Sequence, residues 1–245
     1  MLLEVKGLCK NFGGLQVLKD LDFSVSEGRL TSIIGPNGAG KTTLFNVISG
    51  RFPPSSGQII FEGKEISGLK PHLISQMGLA RSFQITNVFA SLTVMENVRL
   101  ACQSRLPKRV SLGKRASALD GLEEKAEDIL RRIGILQHRD KLARELSHGD
   151  QRHLEIAMTI ATDPKLLLLD EPTSGMSPRE TFETINLIRE ISKSVTVLVI
   201  EHDMNLVMNV SHNIVVLDYG TKIAEGPPEE IKGHPEVRRV YLGGL

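Results

Sequence analysis

Residues Gly35 to Thr42 read GPNGAGKT, a full match to the phosphate-cradling pattern G-x-x-x-x-G-K-[ST], and the run Leu30-Thr-Ser-Ile-Ile34 leads straight into it. A short apolar, β-branched strand, a glycine loop and then a helix is the order this pattern requires. Glycines let successive backbone N–H groups converge on phosphate oxygens, and the following helix turns its positive end toward the same anion. Lys41 then supplies the cation for the outer phosphates, and Thr42 offers a hydroxyl to Mg²⁺. The candidate nucleotide-binding residues here are Gly35, Pro36, Asn37, Gly38, Ala39, Gly40, Lys41, Thr42 and Thr43.

Downstream, Lys165-Leu-Leu-Leu-Leu-Asp170-Glu171 is an unbroken apolar run closed by two carboxylates. A parallel strand buried on both faces reads this way, and ligands bind at the edge where such a strand ends. Asp170 is placed to hold Mg²⁺ through water, and Glu171 to polarise an attacking water as general base. Together with the glycine loop, this points to ATP hydrolysis.

Between these stretches lies LSHGDQ, Leu146 to Gln151. It resembles the LSGGQ signature of ATP-binding cassette (ABC) ATPases: Leu146, Ser147, Gly149 and Gln151 match, whereas His148 and Asp150 depart. The resemblance implies that Ser147 and Gly149 stand at a helix start and touch the γ-phosphate held by an opposite subunit. His148 replaces a glycine, a change that matters only where φ is positive, and histidine is among the residues most tolerant of that. Ser147 reads equally as an ordinary helix N-cap, and one geometry serves both roles. The same resemblance gives three further roles. Gln84 matches the glutamine that senses Mg²⁺ and links the core to a helical lobe. His202, after the strand Val195 to Ile200, matches the switch histidine at the γ-phosphate. Phe12 stands where an aromatic stacks on adenine; the family usually has tyrosine there, but stacking needs only the ring face. Ser174-Gly-Met-Ser177 occupies the D-loop position without its usual aspartate, and Ser177-Pro-Arg-Glu180 is a capping box opening a helix to Ile191.

The fold class expected is α/β: a P-loop ABC ATPase core with a parallel sheet, an N-terminal antiparallel β part and an inserted α-helical subdomain. The 245 residues form one domain, with 1–84 and 161–245 as catalytic core and about 85–160 as the helical lobe. Residues 1 to about 30 read as short strands with turns at Gly13-Gly14 and Glu27-Gly28; Gln58 to Phe61 reads as a strand. Thr93-Val-Met-Glu96 is a capping box, Asp120 to Ile133 is amphipathic, and Ile214 to Leu217 with Lys222 to Ala224 forms a hairpin. Lys+Arg 30 against Asp+Glu 29 leaves a net charge of +1, which gives no electrostatic basis for nucleic-acid binding. The basic residues Arg105, Lys108, Arg109, Lys114 and Arg115 are broken by Pro107 and Gly113 and read as a solvated loop. Two cysteines without metal or CxxC spacing fit a reducing cytosol. No apolar run approaches the roughly 18 residues that cross a bilayer, and no signal peptide is apparent.

Over nearly the whole chain, Ser82-Phe-Gln-Ile with Leu92-Thr-Val-Met-Glu-Asn97, the form LSHGDQRHLEIA, Val199-Ile-Glu-His-Asp-Met204 and the ending at Tyr241-Leu-Gly-Gly resemble the ATPase subunits of bacterial branched-chain amino acid importers. That resemblance implies a second ABC ATPase subunit, identical or not, two membrane permeases, an extracytoplasmic solute-binding protein, and a place on the cytoplasmic face of the membrane. Urea and amide importers share much of the pattern, so the substrate class stays open between them. A chromosome- or ribosome-associated ABC ATPase would need a coiled-coil insertion or tandem cassettes, and a GTPase would need a guanine-reading NKxD motif; neither is present. A non-hydrolysing regulator is disfavoured by Glu171 and His202.

Overall fold

The computed structural model describes residues 1–82, 88–104 and 115–242. Strands β1 (Leu3–Phe12) and β2 (Leu15–Val25) pair antiparallel, and β4 (Ser56–Phe61) and β5 (Lys64–Glu65) extend them into a four-stranded sheet ordered β2-β1-β4-β5. These first strands are longer than the short ones expected, because register shifts between Val5 and Asn11 absorb the irregular pattern without ending the ladder.

A second sheet has six strands. Around β3 (Leu30–Ile34) lie β8 (Thr196–Ile200) and β9 (Asn213–Asp218); β7 (Leu166–Asp170) and β6 (Leu79–Arg81) follow on one side, and β10 (Thr221–Gly226) on the other. All pairings are parallel except the β9–β10 hairpin. The apolar run at 166–169 is explained by its position. Leu167 and Leu169 enter one core cluster and Leu166 and Leu168 the other, and all four are fully buried. Each such burial contributes about 1.5–3 kcal/mol of transfer free energy, so neither face of the strand tolerates a polar residue.

The core facing the antiparallel sheet also receives α1 (Lys41–Ile48), through Leu44, Phe45 and Ile48. The opposite core receives α3 (Val94–Gln103), α4 (Arg115–Ile133) and α5 (His148–Ala161), followed by α6 (Pro178–Ser192) and α7 (Met204–Val210). On α4, Leu122, Ala126, Ile129, Leu130 and Ile133 recur at helical spacing and form its buried stripe. Arg115 begins this helix; it does not belong to a loop, and positions 105–114 of the basic stretch lie outside the described residues. Thr93 and Ser177 make the expected capping boxes with Glu96 and Glu180. Short helices α2 (Pro71–Gln76), α8 (Pro228–Gly233) and α9 (Pro235–Leu242) complete the chain. The architecture is the α/β P-loop ABC core that the motifs imply. Among the described residues no helix is long and apolar enough to cross a membrane.

Candidate functional site

The site lies at the C-terminal edge of the six-stranded sheet. β3 leads into the glycine loop and α1, β7 ends in Asp170, and β8 ends one residue before Glu201-His202. Gly35 is fixed by close approach: a Cβ there would lie 2.2 Å from the Leu217 carbonyl oxygen. The N-terminus of α1 has Gly40 as its cap, no side-chain cap and no acidic residue in the first turn, so its amides remain for an external anion. The loop is tied to the β9–β10 turn by the Gly220 amide, which donates to the Ala39 carbonyl at 3.1 Å.

Lys41 is buried and donates to the Gly35 and Pro36 carbonyls at 2.6 and 3.0 Å. Burial pushes its pKa down, and the nearby Glu171 and Asp170 carboxylates oppose that shift. A cation held by weak carbonyl acceptors next to two acids is one that phosphate oxygens can recruit. Thr42 is exposed in the first turn of α1.

Asp170 is 1% exposed, and Arg81 Nη2 donates to its Oδ2 at 2.9 Å. Oδ1 is buried and accepts no hydrogen bond, so one carboxylate oxygen remains for a cation or its water. No cluster of three or more His, Cys, Asp or Glu among the described residues could hold a metal. Glu171 follows at φ 45°, a left-handed conformation, with its amide bonded to the Ile200 carbonyl at 3.0 Å. His202 is exposed and lies just beyond the end of β8.

Ser147 is the N-cap of α5: its Oγ accepts from the Asp150 amide at 3.1 Å and donates to the Asp150 carboxylate at 2.9 Å. His148 opens the helix and is not among the positive-φ residues, so the question raised by its replacing glycine does not arise. Gly149 lies against the Glu180 side chain of α6: a Cβ would come within 2.7 Å of Glu180 Oε1, which would have to move aside. Gln151 Nε2 donates to the Leu146 carbonyl at 3.3 Å, bracing the start of α5. Phe12, at the end of β1, is 43% exposed; it packs edge-on against Phe52 at 5.3 Å with Lys10 Nζ 4.9 Å from its centroid, leaving part of the ring available for stacking. Gln84 lies outside the described residues.

Three residues that sequence reasoning did not single out shape the site. Arg81 bridges Asp170 to α1 through Asn46 Oδ1 at 2.8 Å and Ser49 Oγ at 3.0 Å. Arg152 of α5 donates to the Asp170 carbonyl at 2.7 Å, joining the signature helix to the strand that carries the acids. Glu201, fully buried, accepts from Thr173 and His202. No local pattern reveals the contacts with Asp170 and Thr173, since those partners are distant in the chain.

A groove of about 400 Å³ opens between α2, β6, α3 and α5, lined by Pro71, Ile74, Leu79, Ala101, Met158 and neighbours. Phe89 is 53% exposed, whereas Val88 packs against the core, so the apolar stretch around Val88 is only partly a surface.

Residues 18–174 match the ABC transporter family, and residues 221–244 match the branched-chain amino acid ATP-binding cassette transporter family. The high-affinity branched-chain amino acid transport ATP-binding protein LivG of Salmonella typhimurium is 42% identical over 99% of this chain and 98% of that protein. The corresponding protein BraF of Pseudomonas aeruginosa is 40% identical, with the same coverage. Among solved structures, the ADP conformation of an ATP-binding cassette of an ABC transporter superposes with a TM-score of 0.85 at 31% identity, covering 99% of this chain and 98% of that one. Joined to an anion-ready helix end, a half-satisfied buried aspartate and a carboxylate at the strand edge, these likenesses make the protein an ATP-binding, ATP-hydrolysing subunit: the chain belongs to the ABC transporter ATPases, in the branched-chain amino acid transport group.

Proposed function

We propose that this chain powers the import of branched-chain amino acids, as one of two cassettes seated beneath a pair of membrane permeases fed by an extracytoplasmic binding protein. The observation that carries this is likeness over almost the full length to proteins named for that transport, extending into the C-terminal residues 221–244. In this reading residues 1–84 and 161–245 form the catalytic core, and about 85–160 a helical lobe that carries the signature.

The mechanism follows from the site. Loop amides from Gly38 to Thr43 hold the ATP phosphates, Phe12 stacks on adenine, and Lys41 leaves its two carbonyl partners for the outer phosphates. When bound, Mg²⁺ supplies charge neutralisation at the phosphate oxygens; Thr42, Asp170 through its unpaired Oδ1, and Gln84 are the residues that would hold it. Glu171 accepts the proton of the attacking water, and His202 contacts the γ-phosphate and orients Glu171. Ser147 and Gly149 of the second subunit close over the same phosphate. ATP favours the closed dimer by its differential affinity for that state, and hydrolysis removes the bridge. The apolar groove between α2, β6, α3 and α5 suits a permease's cytoplasmic helix, and docking there would keep the chain at the inner face of the membrane.

Uptake tests this. Cells in which Lys41→Ala replaces the native chain should lose accumulation of labelled leucine, isoleucine and valine. Unchanged uptake of these, with loss of urea or an amide instead, would overturn the substrate assignment.

A further inference from the structure

Glu201 is the residue immediately after β8, and its carboxylate has no exposed surface. Its Oε1 accepts from the Thr173 amide at 3.1 Å and from the Thr173 hydroxyl at 2.7 Å, while Oε2 accepts from the His202 amide at 3.2 Å. Burial pushes the Glu201 carboxyl up in pKa, and the Thr173 and His202 donors pull it back toward the ionised form. A buried carboxyl of this kind is costly unless its oxygens are hydrogen-bonded, and both oxygens here are. Its donors come from two loops: the turn that carries Glu171 and the loop that carries His202.

The turn needs such restraint. Glu171 holds φ 45°, a conformation that a non-glycine residue keeps only when its surroundings over-determine it. One restraint precedes the strained residue, where the Glu171 amide meets the Ile200 carbonyl. The other follows it, where Thr173 is gripped twice by Glu201. A glutamine cannot hold both arms at once: with its amide oxygen at the Oε1 position it keeps Thr173, but its NH₂ then faces the His202 amide, a second donor, and that arm of the clamp is lost.

We propose that Glu201 is a positioning residue for ATP hydrolysis, clamping the Glu171 turn to the His202 loop so that base and switch histidine keep a fixed mutual geometry. The inference rests on the roles given above to Glu171 and His202. It touches neither the glycine loop nor Phe12, so losing the clamp slows turnover and leaves nucleotide binding alone.

The test compares steady-state ATPase and equilibrium nucleotide affinity of the full chain in Glu201→Gln, Glu201→Ala, Thr173→Val, Thr173→Ser and Glu171→Gln. A misplacement of about 1 Å costs up to about 100-fold, so kcat should fall roughly 10- to 100-fold in both Glu201 variants while KM and nucleotide affinity stay within about threefold. Thr173→Val should fall part of the way, and Thr173→Ser, which keeps the hydroxyl, should restore the rate. Should the Glu201 variants not fold, the Thr173 pair carries the test from the other side of the clamp. Wild-type kcat in Glu201→Gln and Thr173→Val beside an inactive Glu171→Gln would overturn the clamp alone, as would a loss shared equally with nucleotide affinity. Wild-type turnover in Glu171→Gln would overturn the base assignment and the clamp with it.

Discussion

Replacing Arg81 with methionine removes the cation that meets Asp170 inside the core, and its cost can be worked from the contacts. Both side chains are nearly inaccessible, at 6% and 1% exposure, and the guanidinium also bonds Asn46 on α1 and Ser49 at its C-cap. Methionine fills much of the volume, so packing loss is small, but Asp170 is left as a buried carboxylate without its partner. Breaking a buried pair from one side costs about 3–5 kcal/mol. For a chain of this size each kcal/mol shifts Tm by about 2–4 °C, so a fall of roughly 6–20 °C is expected. Burial lowers the Arg81 pKa and the Asp170 carboxylate opposes that shift, so each charge of the pair offsets the other's desolvation. The pair should therefore couple: Arg81→Met with Asp170→Asn should be more stable than the sum of the single losses predicts, by about 0.5–3 kcal/mol. Urea denaturation without nucleotide measures all four proteins. A single-variant loss below about 1 kcal/mol, or strict additivity in the double variant, would refute the reasoning.

Other consequences can be checked separately. Phe12→Ala should weaken ATP binding by roughly 5- to 15-fold while Phe12→Tyr does not, because the exposed ring contributes about 1 kcal/mol or more by stacking; equal affinities in a fluorescent-nucleotide titration would remove Phe12 from the site. Glu96 has its pKa lowered by the Thr93 amide and hydroxyl, so its contribution is present above the ordinary value of 4.5 and is lost as pH falls through the lowered one. Glu96→Gln should accordingly flatten the acid limb of the stability curve below pH 4.5, and an unchanged limb in thermal melts would count against that capping box. Mixing Ser147→Arg with Lys41→Ala subunits should recover ATPase activity that neither has alone, since each heterodimer regains one intact composite site; no recovery in a mixed dimer verified by differential tags argues against action in trans.

Much of this arrangement was legible because local rules and tertiary structure agree. The four leucines before Asp170 alternate between two cores, so a strand buried on both faces had to be continuously apolar. The S/T-x-x-E patterns at Thr93 and Ser177 cap helices because the chemistry of a helix start is local. Arg81 and Glu201 were illegible for the opposite reason. Their partners lie 89 and 28 residues away, and a lone arginine or glutamate at a strand end has no spacing that distinguishes it from a surface charge. Strand β6, three residues long, has too few positions to show a period. The length of β1 and β2 was hidden by bulges that interrupt alternation. The bond from Gln151 to the Leu146 carbonyl is defined only by the folded helix start.

The central claim is that Glu171, held at the edge of β7 in a strained turn, is the base for ATP hydrolysis. Steady-state ATPase of Glu171→Gln, beside its ATP affinity, tests that most directly. The account predicts ATP affinity close to wild type, a nucleotide-trapped closed dimer, and turnover lower by roughly 10²- to 10⁴-fold, the usual worth of a positioned general base. Turnover within about threefold of wild type would contradict it.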